Sequence, residues 1–249
     1  MQFQDKVVFV SGANRGIGKA LVEALLKRGV KKVYATARQL SQLPNFNDTR
    51  VVPIQLDITN AQQIEAATRD AADTEILINN AGIAEFVNAL TAEMATVEKE
   101  MNVNYYGTLA MMRAFLPILE AKPAGTTAMA NLTSIASFVN FPFLSSYCAS
   151  KAALFSITQG ARIDLAPKGI AVFSVNPGPI DTDMGKALEM EKTSPEETAE
   201  GILNGMEANE PDIFPDPHGR GMFSIWKEDY RKLEAVVADM VKPTATAGV

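Results

Sequence analysis

The sequence predicts an α/β fold in which helices cover both faces of a parallel sheet of about seven strands, a doubly wound three-layer sandwich. Short apolar runs alternate with stretches of helical periodicity along the chain. A glycine-rich turn joins the first apolar run to the first helical stretch. The 249 residues are 47% apolar and show no repeat or change of composition, so we expect one domain over residues 1–249.

The predicted strands are rich in β-branched and other apolar residues, as expected for strands that are buried on both faces. A helical stretch or a long connection separates each strand from the next, which favours parallel pairing. The strands are predicted at residues 7–10, 32–36, 51–55, 76–78, 128–132, 170–175 and, briefly, 212–214.

The predicted helices combine apolar residues at helical spacing with recognisable stop and start signals. Gly29 ends the first helix, and Pro167 with Gly169 ends the fourth. Pro117 is expected to bend or end the third, and Ser194 to cap a helix that begins at Pro195. The helices are predicted at residues 19–28, 60–70, 91–119, 147–165, from 195 onward and 224–241, with a loop at 176–179 and a frayed tail at 243–249.

Composition and charge exclude several classes of function. A net charge of −6 disfavours nucleic acid as a partner, since binding to duplex requires a basic face. The single cysteine, Cys148, cannot form an internal disulfide, which indicates a reducing, cytoplasmic setting. The single histidine, His218, excludes histidine-rich zinc chemistry, and we expect no metal site. We identify no signal peptide and no transmembrane stretch, and so expect no membrane partner.

The turn after the first strand contains Gly12, Gly16 and Gly18 and opens a helix. Such glycines let a pyrophosphate approach the free N–H groups of a helix N-terminus. A sharp turn without a ligand is the alternative interpretation. The spacing is not that of a P-loop, because Ala20 stands where a hydroxyl would bind Mg²⁺.

The end of the second strand indicates which dinucleotide is bound. An acidic residue there would accept hydrogen bonds from the 2′-hydroxyl of NAD, but the sequence has Arg38. Arg38 and Arg15, the latter in the glycine turn, can both pair with a 2′-phosphate, which favours NADP(H). The alternative is that both arginines are solvated surface charges.

Tyr147 and Lys151 lie four positions apart at the start of a predicted helix, so their side chains share one face. A phenol needs its pKa lowered by roughly three units to act as a base near neutrality, and a buried ammonium with an oxidised nicotinamide could achieve this. Taken alone, this spacing occurs by chance on many helix surfaces.

The motifs together resemble the short-chain dehydrogenase/reductase family in its single-domain, Rossmann-like form. The resemblance runs from Lys6 to about Thr182. It rests on the glycine turn, residues 56–59 after the third strand, 79–82 after the fourth, 104–107, Ser134, the Tyr147 and Lys151 pair, and residues 176–178 after the sixth strand.

The resemblance implies an oxidoreductase that transfers a hydride between NADP(H) and a carbonyl or alcohol. Tyr147 is then the general acid, Lys151 binds the ribose hydroxyls and lowers the tyrosine pKa, Ser134 polarises the carbonyl, and Asn104 holds a water of a proton relay. The implied cofactor-binding residues are Gly12, Asn14, Arg15, Gly16, Ile17, Gly18, Arg38, Asp57, Ile58, Asn80, Ala81, Gly82, Tyr147, Lys151, Pro177, Gly178, Ile180 and Thr182.

The C-terminal part departs from the family pattern, because the usual glycine-rich last strand is replaced by residues 214–219 and a helix. A homo-oligomer is expected, either a dimer or a tetramer, with a monomer as the alternative. An NADP(H)-binding regulator and a lyase or epimerase on the same fold remain alternatives to the reductase.

We expect a hydrophobic ketone or aldehyde as substrate, because apolar residues surround the predicted pocket. These apolar residues are equally compatible with positions in the core and with positions in the pocket wall. These residues are Phe138, Phe141, Phe143, Leu144, Met184, Leu188 and Met190.

Overall fold

A computed structural model describes residues 1–241, which contain seven strands in one parallel sheet of order β3-β2-β1-β4-β5-β6-β7. The order reverses beside β1, which lies between β2 and β4, so a crevice opens at the carboxyl ends of β1 and β4. The strands are β1 (Val7–Val10), β2 (Lys32–Ala37), β3 (Val51–Gln55), β4 (Ile76–Asn79), β5 (Thr127–Leu132), β6 (Ile170–Val175) and β7 (Asp212–Ile213). The predicted seven-stranded sheet is confirmed.

Eight α-helices surround the sheet in this described part of the chain. They are α1 (Gly16–Lys27), α2 (Ala61–Asp70), α3 (Met94–Met101), α4 (Thr108–Glu120), α5 (Ser145–Leu165), α6 (Pro195–Glu207), α7 (Pro217–Glu228) and α8 (Tyr230–Met240). None of the helices within residues 1–241 is long and apolar enough to cross a bilayer.

Alternating side chains of the strands fill two separate cores, one on each face of the sheet. Val8 and Val10 pack with residues of α1 and α6 in one core. Val7 and Phe9 point to the other, where the ring of Phe9 lies 4.6 Å from that of Phe115 in α4. The predicted three-layer sandwich is therefore confirmed.

The long helical region predicted over residues 91–119 is present, but it starts three residues later and contains a π-helical turn. Helix α3 begins at Met94, and a π-helical turn (Asn102–Gly107) separates it from α4. Pro117 does not end α4, which continues to Glu120. Proline removes one donor near the end of the helix, but the Pro117 carbonyl still accepts the Ala121 N–H at 3.2 Å.

The single C-terminal helix predicted over residues 224–241 is two helices. Asp229 between them has an extended backbone, and its carboxylate accepts the Arg231 N–H at 2.9 Å, which caps α8. Helix α7 begins earlier than predicted, at Pro217, because Asp216 caps it. The tail predicted at residues 243–249 lies outside the described residues.

The start of α6 agrees with the prediction. Ser194 and Glu197 form a reciprocal capping box, with Pro195 in the first turn. This helix follows the segment that returns from β6 across the carboxyl edge of the sheet, where the predicted site residues converge.

Candidate active site

The loops after β1 and β4 form one rigid rim at the carboxyl edge of the sheet. The Ser11 hydroxyl accepts the backbone N–H groups of Asn80 and Ala81, each at 3.0 Å. The Asn80 amide donates to the carbonyls of Ser11 and Gly12, each at 2.9 Å. A Cβ at Gly12 would lie 2.9 Å from the Ala81 Cα, so only glycine permits this approach.

The turn at the N-terminus of α1 packs so closely against its surroundings that it leaves no room for a side chain at two of its glycines. A Cβ at Gly18 would lie 2.1 Å from the Gly12 carbonyl oxygen, and one at Gly16 would lie 2.9 Å from Thr182. The side chain of Arg15, at the N-cap, makes no capping hydrogen bond to the helix, and the first turn contains no acidic residue. A pyrophosphate fits this position, because it would meet free N–H groups and a helix dipole of favourable sign. Asn14 and Ile17 flank the same turn.

The two predicted phosphate-binding arginines occupy different surroundings. Arg38 is exposed and directly follows β2. Arg15 is also largely exposed, but its guanidinium pairs with the Asp183 carboxylate at 2.8 Å. Arg15 must therefore share its charge between Asp183 and any bound phosphate.

Tyr147, Lys151 and Ser134 meet in the crevice. The buried Lys151 ammonium lies 5.6 Å from the centre of the Tyr147 ring and donates to the Leu132 carbonyl at 2.7 Å. The Ser134 hydroxyl donates to the Pro177 carbonyl at 3.4 Å and lies near enough to Tyr147 to lower the pKa of its phenol. The first turns of α5 and the end of β5 thus bring the three side chains together as predicted.

Burial dominates the electrostatics of this group. Burial of its hydroxyl raises the pKa of Tyr147 above the ordinary value, against the weaker lowering effect of Ser134. Burial also lowers the pKa of Lys151 to about 8. The predicted lowering of the Tyr147 pKa by Lys151 together with an oxidised nicotinamide stays a prediction, since desolvation dominates among the protein's own groups. Tyr147 retains its proton near neutral pH.

Asn104 lies in the π-helical turn and is fully buried. Its amide exchanges two hydrogen bonds with the backbone of Ile83, each at 2.9 Å, and donates a third to the Ser150 hydroxyl. A Cβ at Gly82 would lie 3.1 Å from the Asn104 Oδ1 and 3.4 Å from the Lys151 Nζ. Asn104 thus joins the loop after β4 to α5, and the water predicted there stays a prediction.

The remaining predicted residues surround the same crevice. The Asp57 carboxylate binds the Thr59 N–H at 2.9 Å, and Ile58 is buried against Gly107. The loop after β6 runs through Pro177 and Gly178, whose N–H donates to the buried Asp216.

This loop then crosses to the glycine turn. Ile180 bridges to Thr193, and Thr182 lies against Gly16. The two sides of the predicted cofactor groove therefore meet at this point.

The predicted pocket residues divide between core and crevice. Phe138 packs in an aromatic cluster with four rings, those of Phe155, Phe214, Phe223 and Trp226. Phe141 and Leu144 instead pack beside Tyr147 and Cys148. The Cys148 thiol is buried and accepts the Phe141 N–H at 3.3 Å, and burial raises its pKa to about 11, which suits a packing role.

The more peripheral apolar residues are more accessible. Phe143, Met184 and Met190 are exposed, and Leu188 is half-buried. None of these four residues is part of the buried core.

Sequence reasoning missed three acidic residues at the site. Asp216 could have been identified as a cap, because it directly precedes Pro217. Asp183 and the fully buried Glu100 have no distinguishing signal, since acidic residues in loops and short helices are usually solvated.

Comparison with known proteins identifies relatives over most of the chain. The sequence model described as short chain dehydrogenase matches residues 6–193. The NADPH-dependent 1-acyldihydroxyacetone phosphate reductase of Schizosaccharomyces pombe is 35% identical over 185 residues, which are 72% of this chain and 61% of that protein. An uncharacterised oxidoreductase of Staphylococcus aureus (strain MW2) is 32% identical over 80% of this chain and 90% of its own.

A solved structure agrees over nearly the whole length. A short-chain dehydrogenase from Burkholderia cenocepacia J2315 in complex with NADP has a TM-score of 0.91 and 38% identity. The match covers 98% of this chain and 100% of that chain. It therefore includes the C-terminal segment in which α7 and α8 lie.

Proposed function

This chain belongs to the short-chain dehydrogenase/reductase family of oxidoreductases, and from that premise we propose that it reduces a hydrophobic ketone or aldehyde with NADPH, using Tyr147 as general acid. The convergence of Ser134, Tyr147 and Lys151 on one crevice carries the proposal. A protonated phenol beside a buried ammonium can donate a proton where a carbonyl oxygen gains negative charge.

The cofactor groove runs from the glycine turn to the loop after β6. The pyrophosphate would lie against Gly12, Gly16 and Gly18. The nicotinamide ribose would be held by Lys151. The other groove positions are Asn14, Ile17, Asn80, Ala81 and Gly82, with Asp57 and Ile58 at the adenine and Pro177, Gly178, Ile180 and Thr182 at the nicotinamide amide. When bound, NADPH supplies the hydride for the carbonyl carbon.

The protein's own groups handle the proton. The Ser134 hydroxyl hydrogen-bonds to the substrate oxygen and fixes its place beside the Tyr147 hydroxyl. As the carbonyl carbon gains a hydride, Tyr147 donates its proton to the carbonyl oxygen, and the product is the alcohol. Lys151 stabilises the phenolate, and its pKa of about 8 lets it exchange protons near neutrality.

The preference for NADP(H) rests on Arg38, with Arg15 as a second contact. No carboxylate occupies residues 36–38 at the end of β2, so a 2′-phosphate meets no repulsion there. The names of two relatives specify NADP or NADPH, which supports the same choice.

The test is an assay of NADPH oxidation with aromatic and long-chain ketones and aldehydes, and with 1-acyldihydroxyacetone phosphate. Tyr147→Phe should lower kcat by about 10³-fold while NADPH binding is retained. The exposed Tyr230→Phe on α8 is the matched control. NADH should be the poorer reductant. A marked preference for phosphorylated substrates would contradict the hydrophobic pocket.

Two outcomes would favour the alternatives. NADPH binding without turnover of any substrate would indicate a cofactor-binding regulator. Product formation without a change in nicotinamide absorbance would indicate a lyase or epimerase.

The assembly and setting of the enzyme complete the proposal. We expect one domain, a homo-oligomer that is a dimer or tetramer, and a reducing cytoplasmic environment. Light scattering on the full chain tests the oligomer, because a single species of monomer mass would contradict it.

A further inference from the structure

Glu100 of α3 is a carboxylate with no exposed surface. The adjacent Lys99 does not pair with it but with Glu85, at 2.7 Å. An ionised group is costly to bury without compensation. Its hydrogen-bond partners must therefore explain why an acid occupies this position.

The two carboxylate oxygens of Glu100 bind two different segments. Oε1 accepts the backbone N–H of Glu85 at 2.6 Å, in the loop after β4. Oε2 accepts a hydrogen bond from the Ser146 hydroxyl, in the first turn of α5. Glu100 therefore clamps the start of α5 to the loop that also contacts Asn104.

The first turn of α5 lacks a cap of its own. Leu144 at the N-cap makes no side-chain hydrogen bond, and no acidic residue lies in the turn. A helix N-terminus carries a partial positive charge that a nearby anion stabilises. Glu100 supplies that anion from a neighbouring helix, one residue before Tyr147.

We propose that Glu100 is a positioning residue, which acts through Ser146 to hold the first turn of α5 and so to orient the Tyr147 phenol. This inference rests on the proposed function, in which Tyr147 is a proton donor. Glu100 touches neither substrate nor cofactor in this role.

The charges around Glu100 support the proposal. Glu85 and Lys99 face it from the loop and from α3, and Tyr147 and Cys148 face it from α5. Burial raises the pKa of Glu100, while its bonds from Glu85 and Ser146 oppose that rise. The negative charge of Glu100 contributes to the raised pKa of Tyr147. Removing the charge should therefore favour the phenolate.

The experiment compares Glu100→Gln and Ser146→Ala with the wild type, and uses the exposed Glu98→Gln on the same helix as the matched control. Phenolate absorbance is titrated in the complex with NADP⁺, and Tyr147→Phe in each background isolates the share of Tyr147. Hydrogen exchange of amides 145–149 reports the order of the first turn of α5.

Glu100→Gln should move the Tyr147 titration to lower pH by about half a unit or more, about a threefold change in the phenol-to-phenolate ratio. In both Glu100→Gln and Ser146→Ala, amides 145–149 should exchange hydrogen about tenfold faster than in the wild type. In Glu98→Gln, the exchange rates should match those of the wild type. Because Ser146→Ala keeps the carboxylate, it still tests the clamp if Glu100→Gln does not fold.

A Tyr147 titration that is unchanged in Glu100→Gln would overturn the proposal. A loss of stability alone in this variant would not support it, since such a loss would show only that Glu100 has a structural role. Unchanged exchange in Ser146→Ala would overturn the clamp. Neither measurement needs turnover. A wild type that reduces no carbonyl compound would therefore refute the proposed function without deciding the role of Glu100.

Discussion

Replacing Lys151 with methionine should stabilise the protein near neutral pH while abolishing its activity. Lys151 is 5% exposed as a residue, and burial lowers the pKa of its ammonium from 10.5 to about 8. This difference corresponds to a cost of about 3 kcal/mol for the charged form in the folded protein. Methionine has a similar length and carries no such cost.

The gain is partly offset by a lost hydrogen bond. Lys151 donates to the Leu132 carbonyl at 2.7 Å, and a bond from a charged donor contributes about 2 kcal/mol. The net effect of Lys151→Met is thus a gain of about 1 kcal/mol in the free energy of unfolding near pH 7. Activity should fall by more than about 10²-fold, because the phenolate loses its neighbouring cation.

The dependence on pH is the sharper test. A lysine whose pKa is lowered in the folded state carries its cost below the folded pKa, and the cost disappears as pH rises from about 8 to 10.5. Between about pH 7 and pH 9.5 the wild type should therefore gain about 2 kcal/mol relative to Lys151→Met.

Urea unfolding at both pH values measures this difference, with the exposed Lys31→Met as control. A stability difference between Lys151→Met and the wild type that stays constant with pH would refute the reasoning, because the ammonium would then carry no burial cost.

Three further changes test the cofactor groove and its support. Arg38→Asp should lower kcat/KM with NADPH by about 10²-fold and leave that with NADH nearly unchanged; equal losses with both would argue against a 2′-phosphate contact. Gly18→Ala should abolish NADPH binding measured by fluorescence, since its Cβ would lie 2.1 Å from the Gly12 carbonyl oxygen, and retained affinity would show that the turn can widen. Asp216→Ala should lower the free energy of unfolding, measured with urea, by about 3 kcal/mol, because this buried carboxylate accepts two backbone N–H groups at 2.7 and 2.8 Å. A decrease below about 1 kcal/mol would contradict its role in holding α7 against the loop after β6.

Much of the fold was predictable because its signals are local. Buried parallel strands are continuous apolar runs, and each of the seven predicted runs forms a strand. The glycines of the first turn and the capping box at Ser194 each depend on neighbours within a few residues. The spacing of Tyr147 and Lys151 likewise places both on one helix face without any knowledge of packing.

The errors concern two local signals that are ambiguous in the sequence and one contact between distant elements. A proline normally interrupts a helix, yet α4 continues past Pro117. The break between α7 and α8 depends on Asp229, whose extended backbone was not evident among helix-forming neighbours. The aromatic side chain of Phe138 suits a pocket wall as well as a core position. Only the tertiary structure shows that it packs against Phe223 and Trp226 of α7 in an aromatic cluster.

The sequence by itself therefore determined the layered sheet, the glycine-rich turn after β1 and the shared helix face of Tyr147 and Lys151, since each follows from backbone geometry over a few residues. Only the tertiary structure decided the electrostatics of the site. The pKa values of Tyr147 and Lys151 depend on burial, and the partners of Glu100 lie 15 and 46 residues away along the chain. Desolvation and long-range hydrogen bonds exist only after the chain has packed, so no local pattern can predict them.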